Sequence, residues 1–327
     1  MLATALGVGL ALLAPQVDGH STRIRYTMQG GEQLGELAEA YGISEAALRR
    51  ANVGEIARGR VLEIDARVLP PPRQKLRITV GEREGWADIA HRHGVAEQRL
   101  RRWNPKQAQR RRLRTGSTLV LWLPSGAHRY PLPADTSGFP DVAKPEHGES
   151  VGRPHRGRLI DGAPLPQGPY TIRFDWQAFG SALTVWHVAR VLRAFRAETG
   201  FDGELFVGAM SRRSGRRLSP HRSHQSGRDV DIRLPAMPHA TGYKLQADEV
   251  DWHAAWALVD AFVRTGDVKV VFLERKLRRR LRRAGLALGA GDDRVAAVMA
   301  KVRHSPGHTA HIHVRFECAA NETACRD

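Results

Sequence analysis

Two stretches of this chain alternate apolar with ionisable residues, a pattern that few structures accommodate. In Arg228-Asp-Val-Asp-Ile-Arg-Leu234, Val230, Ile232 and Leu234 share one side of an extended chain, and Asp229, Asp231 and Arg233 share the other. His311-Ile-His-Val-Arg-Phe316 repeats the arrangement, with Ile312, Val314 and Phe316 opposite His311, His313 and Arg315. Both read as half-buried strands. If they pair antiparallel, an aspartate and a histidine face each other across the ladder, and His224, in the loop just before, can close over them. A His, Asp, His set of nitrogen and carboxylate donors suits zinc. Three protein ligands leave a fourth position for water, as catalytic sites do and structural sites do not.

The competing reading is two strands whose polar faces are merely wet. Against it stand five histidines, His221, His224, His308, His311 and His313, together with two aspartates in two short stretches. Ionisable groups at a sheet face beside a core are costly unless a metal or a network satisfies them. No His-Glu-x-x-His occurs, so a helix-borne zinc site is not the template, and neither a Gly-x-Ser-x-Gly elbow nor a phosphate loop is present.

The spacing His-x6-Asp, followed far downstream by His-x-His, resembles the clan that unites lysostaphin-type and D-Ala-D-Ala metallopeptidases. Within it, the run His221 to Ile232 paired with His308 to Cys318 resembles the penicillin-insensitive murein endopeptidases, over about half of the chain from near Gly148 onward. The resemblance implies zinc held by His224, Asp231 and His313, with His221, His308 and His311 lining the site. It also implies the scissile bond, the D-alanyl to diaminopimelyl cross-link of peptidoglycan. His311, on the same strand face as His313, is assigned the general-base or transition-state role, with His308 or His221 as alternatives. Asp229 either orients a histidine ligand or pairs with an arginine. Two other readings stay open: a D-Ala carboxypeptidase of the same clan, and a non-catalytic peptidoglycan-binding protein whose metal is structural.

The N-terminal half is decided by an internal repeat. Shifted by 52 positions, Leu34 falls on Trp86, Leu37 on Ile89, Ala38 on Ala90, Gly42 on Gly94, Leu48 on Leu100 and Asn52 on Asn104. Past the asparagines the offset becomes 57, matching Gly59, Leu62 and Ile64 to Gly116, Leu119 and Leu121, because the second copy carries a basic insertion near Arg110 to Arg112. Each copy reads as strand, helix, helix, strand. This unit resembles the LysM domain, in its Gly-Glu opening, its Tyr41-Gly-Ile-Ser44 turn and its asparagines. That resemblance implies binding to peptidoglycan or chitin-like glycans.

The net charge of +17 predicts attraction to polyanions, but the basic residues are spread over every segment and form no nucleic-acid module. A carboxylate- or phosphate-bearing wall polymer is the expected partner, and no nucleic acid. Leu2 to Ala14 is too short to span a bilayer comfortably and reads as the apolar part of a secretory signal, so a periplasmic or secreted location without stable membrane insertion is expected. Cys318 and Cys325 are close enough in sequence to close a small disulfide loop. The run Arg275 to Arg283, with Leu277 and Leu281 on one stripe, reads as a solvated cationic helix, and Arg212, Arg213, Arg216 and Arg217 are candidates for holding substrate carboxylates.

The expected architecture is α+β. A signal at 1–20 precedes repeats at 24–66 and 76–124, a linker at 125–147, and a zinc peptidase domain at 148–327 whose small antiparallel sheet carries the site.

Overall fold

The computed structural model describes residues 22–67, 70, 73–125, 136–237, 240, 243–288 and 290–327. The expected signal segment, most of the Pro70 to Pro72 spacer and the centre of the expected linker lie outside the described residues.

In the first repeat, β1 (Thr22–Thr27), α1 (Leu34–Ala40), α2 (Glu45–Ala51) and β2 (Val61–Ala66) enclose Leu37, Leu48, Leu62 and Ile64, and β1 pairs antiparallel with β2. The Tyr-Gly-Ile-Ser turn ends one helix and starts the next, because the Ser44 hydroxyl accepts the Ala47 N–H at 3.1 Å. The second repeat has β3 (Arg73–Thr79), α3 (Trp86–Arg92), α4 (Glu97–Trp103) and β4 (Thr118–Pro124), around Ile89, Leu100 and Leu121. Its longer offset includes an extra turn, α5 (Pro105–Ala108), with proline at the helix start where a missing N–H costs nothing. The repeats meet closely at Gly31, where φ is 83° and an added Cβ would lie 2.9 Å from the Arg102 carbonyl.

The repeated asparagines staple helix to closing strand. The Asn104 side-chain amide donates to the Leu100 and Val120 carbonyls at 2.9 and 2.8 Å, and its oxygen accepts the Val120 N–H at 2.7 Å. Asn52 does the same with Leu48 and Glu63. Asn104→Ala leaves three backbone groups without these partners, and each one that stays buried costs about 1–3 kcal/mol. The expected result is a lower urea midpoint for the second repeat, followed through its Trp86 and Trp103 fluorescence; an unchanged midpoint would show that water replaces the amide.

The remaining elements are β5 (Glu149–Arg153), β6 (Arg156–Ile160), β7 (Ala163–Pro164), β8 (Thr171–Ile172), β9 (Phe179–Gly180), α6 (Ala182–Thr199), β10 (Phe206–Val207), β11 (Asp229–Arg233), α7 (Trp252–Val263), β12 (Val268–Leu273), α8 (Arg275–Ala287), α9 (Asp292–Lys301), β13 (Val302–His304) and β14 (His311–Phe316). The fold is mixed α and β, but the sheet is larger than a small antiparallel one. It has six strands in the order β13-β12-β14-β11-β10-β8, with parallel pairs at β12/β13 and β8/β10. Val230, Ile232, Val314 and Phe316 pack against Val188, Leu192, Leu258 and Phe262 from α6 and α7. Phe139 belongs to this same core, ahead of β5.

Strand β11 departs from a half-buried strand: all five of its residues are buried. Its apolar side faces the core, and its charged side is covered by histidines and by the loop that leads into it.

The second repeat is fixed to the third unit through buried polar contacts. Gln74 donates to the Val250 carbonyl at 2.6 Å and accepts from Trp252 N–H at 2.5 Å, and Ser125 Oγ donates to the Asp251 carboxylate at 2.7 and 2.8 Å. Asp251 also caps α7, accepting the Ala254 N–H. Met237 sits in the core of the second repeat.

Candidate metal centre

Antiparallel pairing of β11 with β14 sets Asp231 directly opposite His313, and Asp229 opposite Arg315. The loop before β11 returns His224 over the pair, so the His224 and His313 rings lie 4.6 Å apart, edge to face. Two overlapping groups of metal-capable atoms result, His221 with His224 and Asp231, and Asp231 with His308 and His313. Asp231 is common to both.

His224 is held at every polar atom except one. It is a non-glycine residue at φ 66°, a conformation that costs on the order of 1–3 kcal/mol and persists only where the surroundings enforce it. Its N–H donates to Asp229 at 2.8 Å, its carbonyl accepts from Ser211 Oγ at 2.7 Å, and Nδ1 lies 2.7 Å from the Met210 carbonyl. A carbonyl only accepts, so Nδ1 carries a proton there and Nε2 is the ring nitrogen turned toward Asp231. That Nε2 stands 3.4 Å from Asp231 Oδ1, and both atoms are buried without a hydrogen-bond partner. Two buried polar atoms this close without an aligned hydrogen bond suit a shared cation, a proton or a metal ion.

His313 Nδ1 is 3.1 Å from Asp231 Oδ1, and Nε2 is 3.1 Å from Asp229 Oδ1 but makes no aligned hydrogen bond there. Burial disfavours its imidazolium, yet the flanking carboxylates outweigh burial and raise it to about 9. Burial would raise both carboxyls as well; His313 and Arg315 hold Asp229, and His224 and His313 hold Asp231, well below the usual carboxylate range. The proton on His313 supplies a positive charge between the two carboxylates, and a metal held by His313 would have to displace it. Asp229 receives the His224 N–H at 2.8 Å, lies 3.1 Å from His313 Nε2, and also pairs with Arg315, whose Nε donates to it at 2.7 Å.

His311 lies at the rim, with Nε2 3.9 Å from Asp231 Oδ1, and is in neither metal-capable group. Burial, then the neighbouring histidines, push it down to about 4 despite Asp231, so it is neutral and able to accept a proton. His308 stands 4.9 Å from His311, ring to ring, and His221 lies 3.5 Å from Asp231 Oδ2. Burial lowers both, with His313 adding to it at His308 and His224 at His221. Of the arginines before the loop, Arg213 is paired with Asp161 and Arg212 lies over Trp176, so neither is an unengaged carboxylate clamp.

Two further residues at the site gave no signal in the sequence. Tyr243 stacks on His311 with centroids 6.5 Å apart, and the Arg173 guanidinium lies 4.6 Å over the Tyr243 ring. Gly208 makes room for this arrangement, because an added Cβ would come within 3.2 Å of both the Asp231 Cβ and the Tyr243 hydroxyl.

Fold and site together define a chain with two repeat modules ahead of a domain bearing a metal-capable His/Asp cluster. The family profile of penicillin-insensitive murein endopeptidases matches residues 150–264, which include His221, His224 and Asp231 and end before β14, and the LysM domain profile matches 26–69 and 70–122. The penicillin-insensitive murein endopeptidase of Yersinia pestis bv. Antiqua (strain Antiqua) is 32% identical over 199 residues, spanning 55% of this chain and 70% of that one. That of Salmonella heidelberg (strain SL476) is 28% identical over 235 residues, spanning 65% and 81%. The chain belongs to the penicillin-insensitive murein endopeptidase family and carries two LysM domains.

Proposed function

We propose that this protein is a zinc-dependent peptidoglycan endopeptidase of the periplasm or cell wall that cleaves the D-alanyl to diaminopimelyl cross-link. The observation that carries the reading is the buried pair of His224 Nε2 and Asp231 Oδ1, 3.4 Å apart and without hydrogen-bond partners, with His224 Nδ1 engaged by the Met210 carbonyl. His224 Nε2, the Asp231 carboxylate and His313 are the proposed ligands. The nitrogen and oxygen donor set suits zinc, which when bound supplies Lewis acidity, lowering the pKa of a coordinated water to about 7 and polarising the scissile carbonyl. His311, neutral and at the rim, takes the proton of the attacking water and returns it to the leaving amine, with His308 and His221 beside it. Asp229 orients His313 and fixes the backbone of His224.

We further propose functional units at 24–66, 76–124 and 148–327, with the two LysM domains holding the enzyme on glycan and so raising its local concentration at the cross-links. The test is digestion of purified sacculi followed by mass spectrometry of the soluble products. Cross-linked dimers should disappear with a matching gain in monomers that retain their D-alanine. Loss of terminal D-alanine with cross-links intact would favour a carboxypeptidase of the same clan, and no change in either would leave only a wall-binding role.

A further inference from the structure

A cleft of about 960 Å³ lies where both LysM domains meet α7 and α8, lined from these four sources by residues such as Tyr26, Lys75, Trp252 and Arg283. Its lining includes six cationic side chains, Arg25, Arg73, Lys75, Arg77, Arg280 and Arg283, and no carboxylate. Some of these charges are already engaged: Arg25 pairs with Glu63, Arg73 with Glu32, and Arg280 donates to the Ala247 carbonyl. Lys75, Arg77 and Arg283 are exposed and have no carboxylate partner among the described residues. Lys75 lies 5.3 Å over the Trp122 ring, and its pKa is lowered first by partial burial and then by the neighbouring arginines Arg77 and Arg58. Like charges gathered around a concave surface raise the local potential and attract an anion.

The cleft also has aromatic surface. Trp122 is half-buried on the same β3/β4 ribbon as Lys75 and Arg77, and Tyr26 is half-buried in the lining from the first repeat, while Tyr41 and Trp252 border the cleft as buried residues. Rings beside cations suit a ligand with apolar sugar faces and carboxylates at intervals, since the rings cover C–H surface while the cations meet charge. Nucleic acid would use the same cations, but the chain brings no recognition module to this place.

We infer that this cleft is a second wall-binding site, apart from the His/Asp cluster, that seats an uncut glycopeptide strand with its stem-peptide carboxylates on Lys75, Arg77 and Arg283 and a sugar ring against Trp122. The inference rests on the reading of peptidoglycan as the substrate, and it adds a role for α8. This helix buries Leu277 and Leu281 and turns Arg280 and Arg283 toward the LysM domains. Because the second LysM domain is locked to α7 through Gln74, Ser125 and Asp251, one wall of the cleft is positioned before any strand arrives.

The test is co-sedimentation of the full chain with sacculi on ice, beside turnover of a soluble cross-linked muropeptide dimer. A variant carrying Lys75→Gln, Arg77→Gln and Arg283→Gln should bind sacculi about tenfold more weakly at low salt, the combined worth of three exposed ionic contacts. Its binding should also depend less steeply on salt, and its turnover of the dimer should match wild type. Methyl esterification of the sacculus carboxylates should weaken wild-type binding by a larger factor than it weakens the variant's. A charge-matched control, Arg111→Gln, Arg112→Gln and Arg114→Gln, removes three exposed cations outside the cleft. Equal weakening by the control would overturn the proposal, as would undiminished binding by the cleft variant or tighter binding of an oligonucleotide than of glycopeptide. Failure of the wild type to cut the dimer would instead strike at the endopeptidase reading, leaving the binding comparison to stand by itself.

Discussion

Replacement of His313 by alanine is expected to abolish metal binding and hydrolysis together, whereas His311→Ala should keep the metal and lose only rate. The two residues are one strand step apart on β14 and share a face, but their surroundings differ. His313 is buried against Asp229 and Asp231, with both ring nitrogens 3.1 Å from carboxylate oxygens. His311 stands at the rim and approaches Asp231 only to 3.9 Å. Removing His313 deletes a proposed donor. Removing His311 deletes a proton acceptor, with an expected loss of about 10²–10⁴ in rate. His224→Ala and Asp231→Ala should follow His313→Ala. Elemental analysis beside turnover of soluble muropeptide dimers separates the cases. A His311→Ala protein that lost its metal while His313→Ala kept it would mean that the two histidines had exchanged roles.

The second large effect is expected at Asp229, which is wholly buried beneath the His/Asp cluster. Its carboxylate is fully buried, receives the His224 N–H and Arg315 Nε, and lies beside His313. Asp229→Ala leaves the Arg315 cation without its partner and releases the strained backbone of His224. Breaking such a pair from one side costs about 3–5 kcal/mol. Asp229→Asn keeps the volume and an acceptor, so it should retain more of the stability, while metal affinity still falls about 10–100-fold as the support of the ligands weakens. Urea unfolding of the metal-free protein measures the first effect, and competition against a chelating dye measures the second. An Asp229→Ala protein with unchanged midpoint and affinity would show Asp229 to be a bystander.

The two central strands were legible in the sequence because period-two alternation survives in runs of five and six residues, while their adjacency and the register that sets Asp231 opposite His313 come from the fold. The mixed character of the sheet was not legible. It arises from β8, β10 and β13, strands of two or three residues, too short to carry a period. Burial of β11 on both faces was missed for another reason. The polar face is covered by the returning loop, and loop paths are not written in hydropathy. Tyr243 and Arg173 lie in aperiodic segments and reach His311 only through the fold. Gln74 is different, since a trace of it was visible. In Arg73-Gln-Lys-Leu-Arg-Ile-Thr79 it occupies the inward phase shared with Leu76 and Ile78, and a polar residue in that phase marks a buried partner, here the backbone of Val250 and Trp252.

The order of the strands has a consequence for how the enzyme comes into being. Strand β14 lies between β12 and β11, although both precede it in the chain. A growing polypeptide that has already made β11 and the His221 to Asp231 loop still lacks the strand that fills the middle of the sheet, and with it His308, His311 and His313. Closing that gap joins residues about eighty positions apart, a late event in folding because the entropy of the intervening segment is lost before the contacts repay it. On the proposed roles of His313 and His311, hydrolytic competence would arrive only with this strand, and chains clipped before it are expected to be inert toward peptidoglycan.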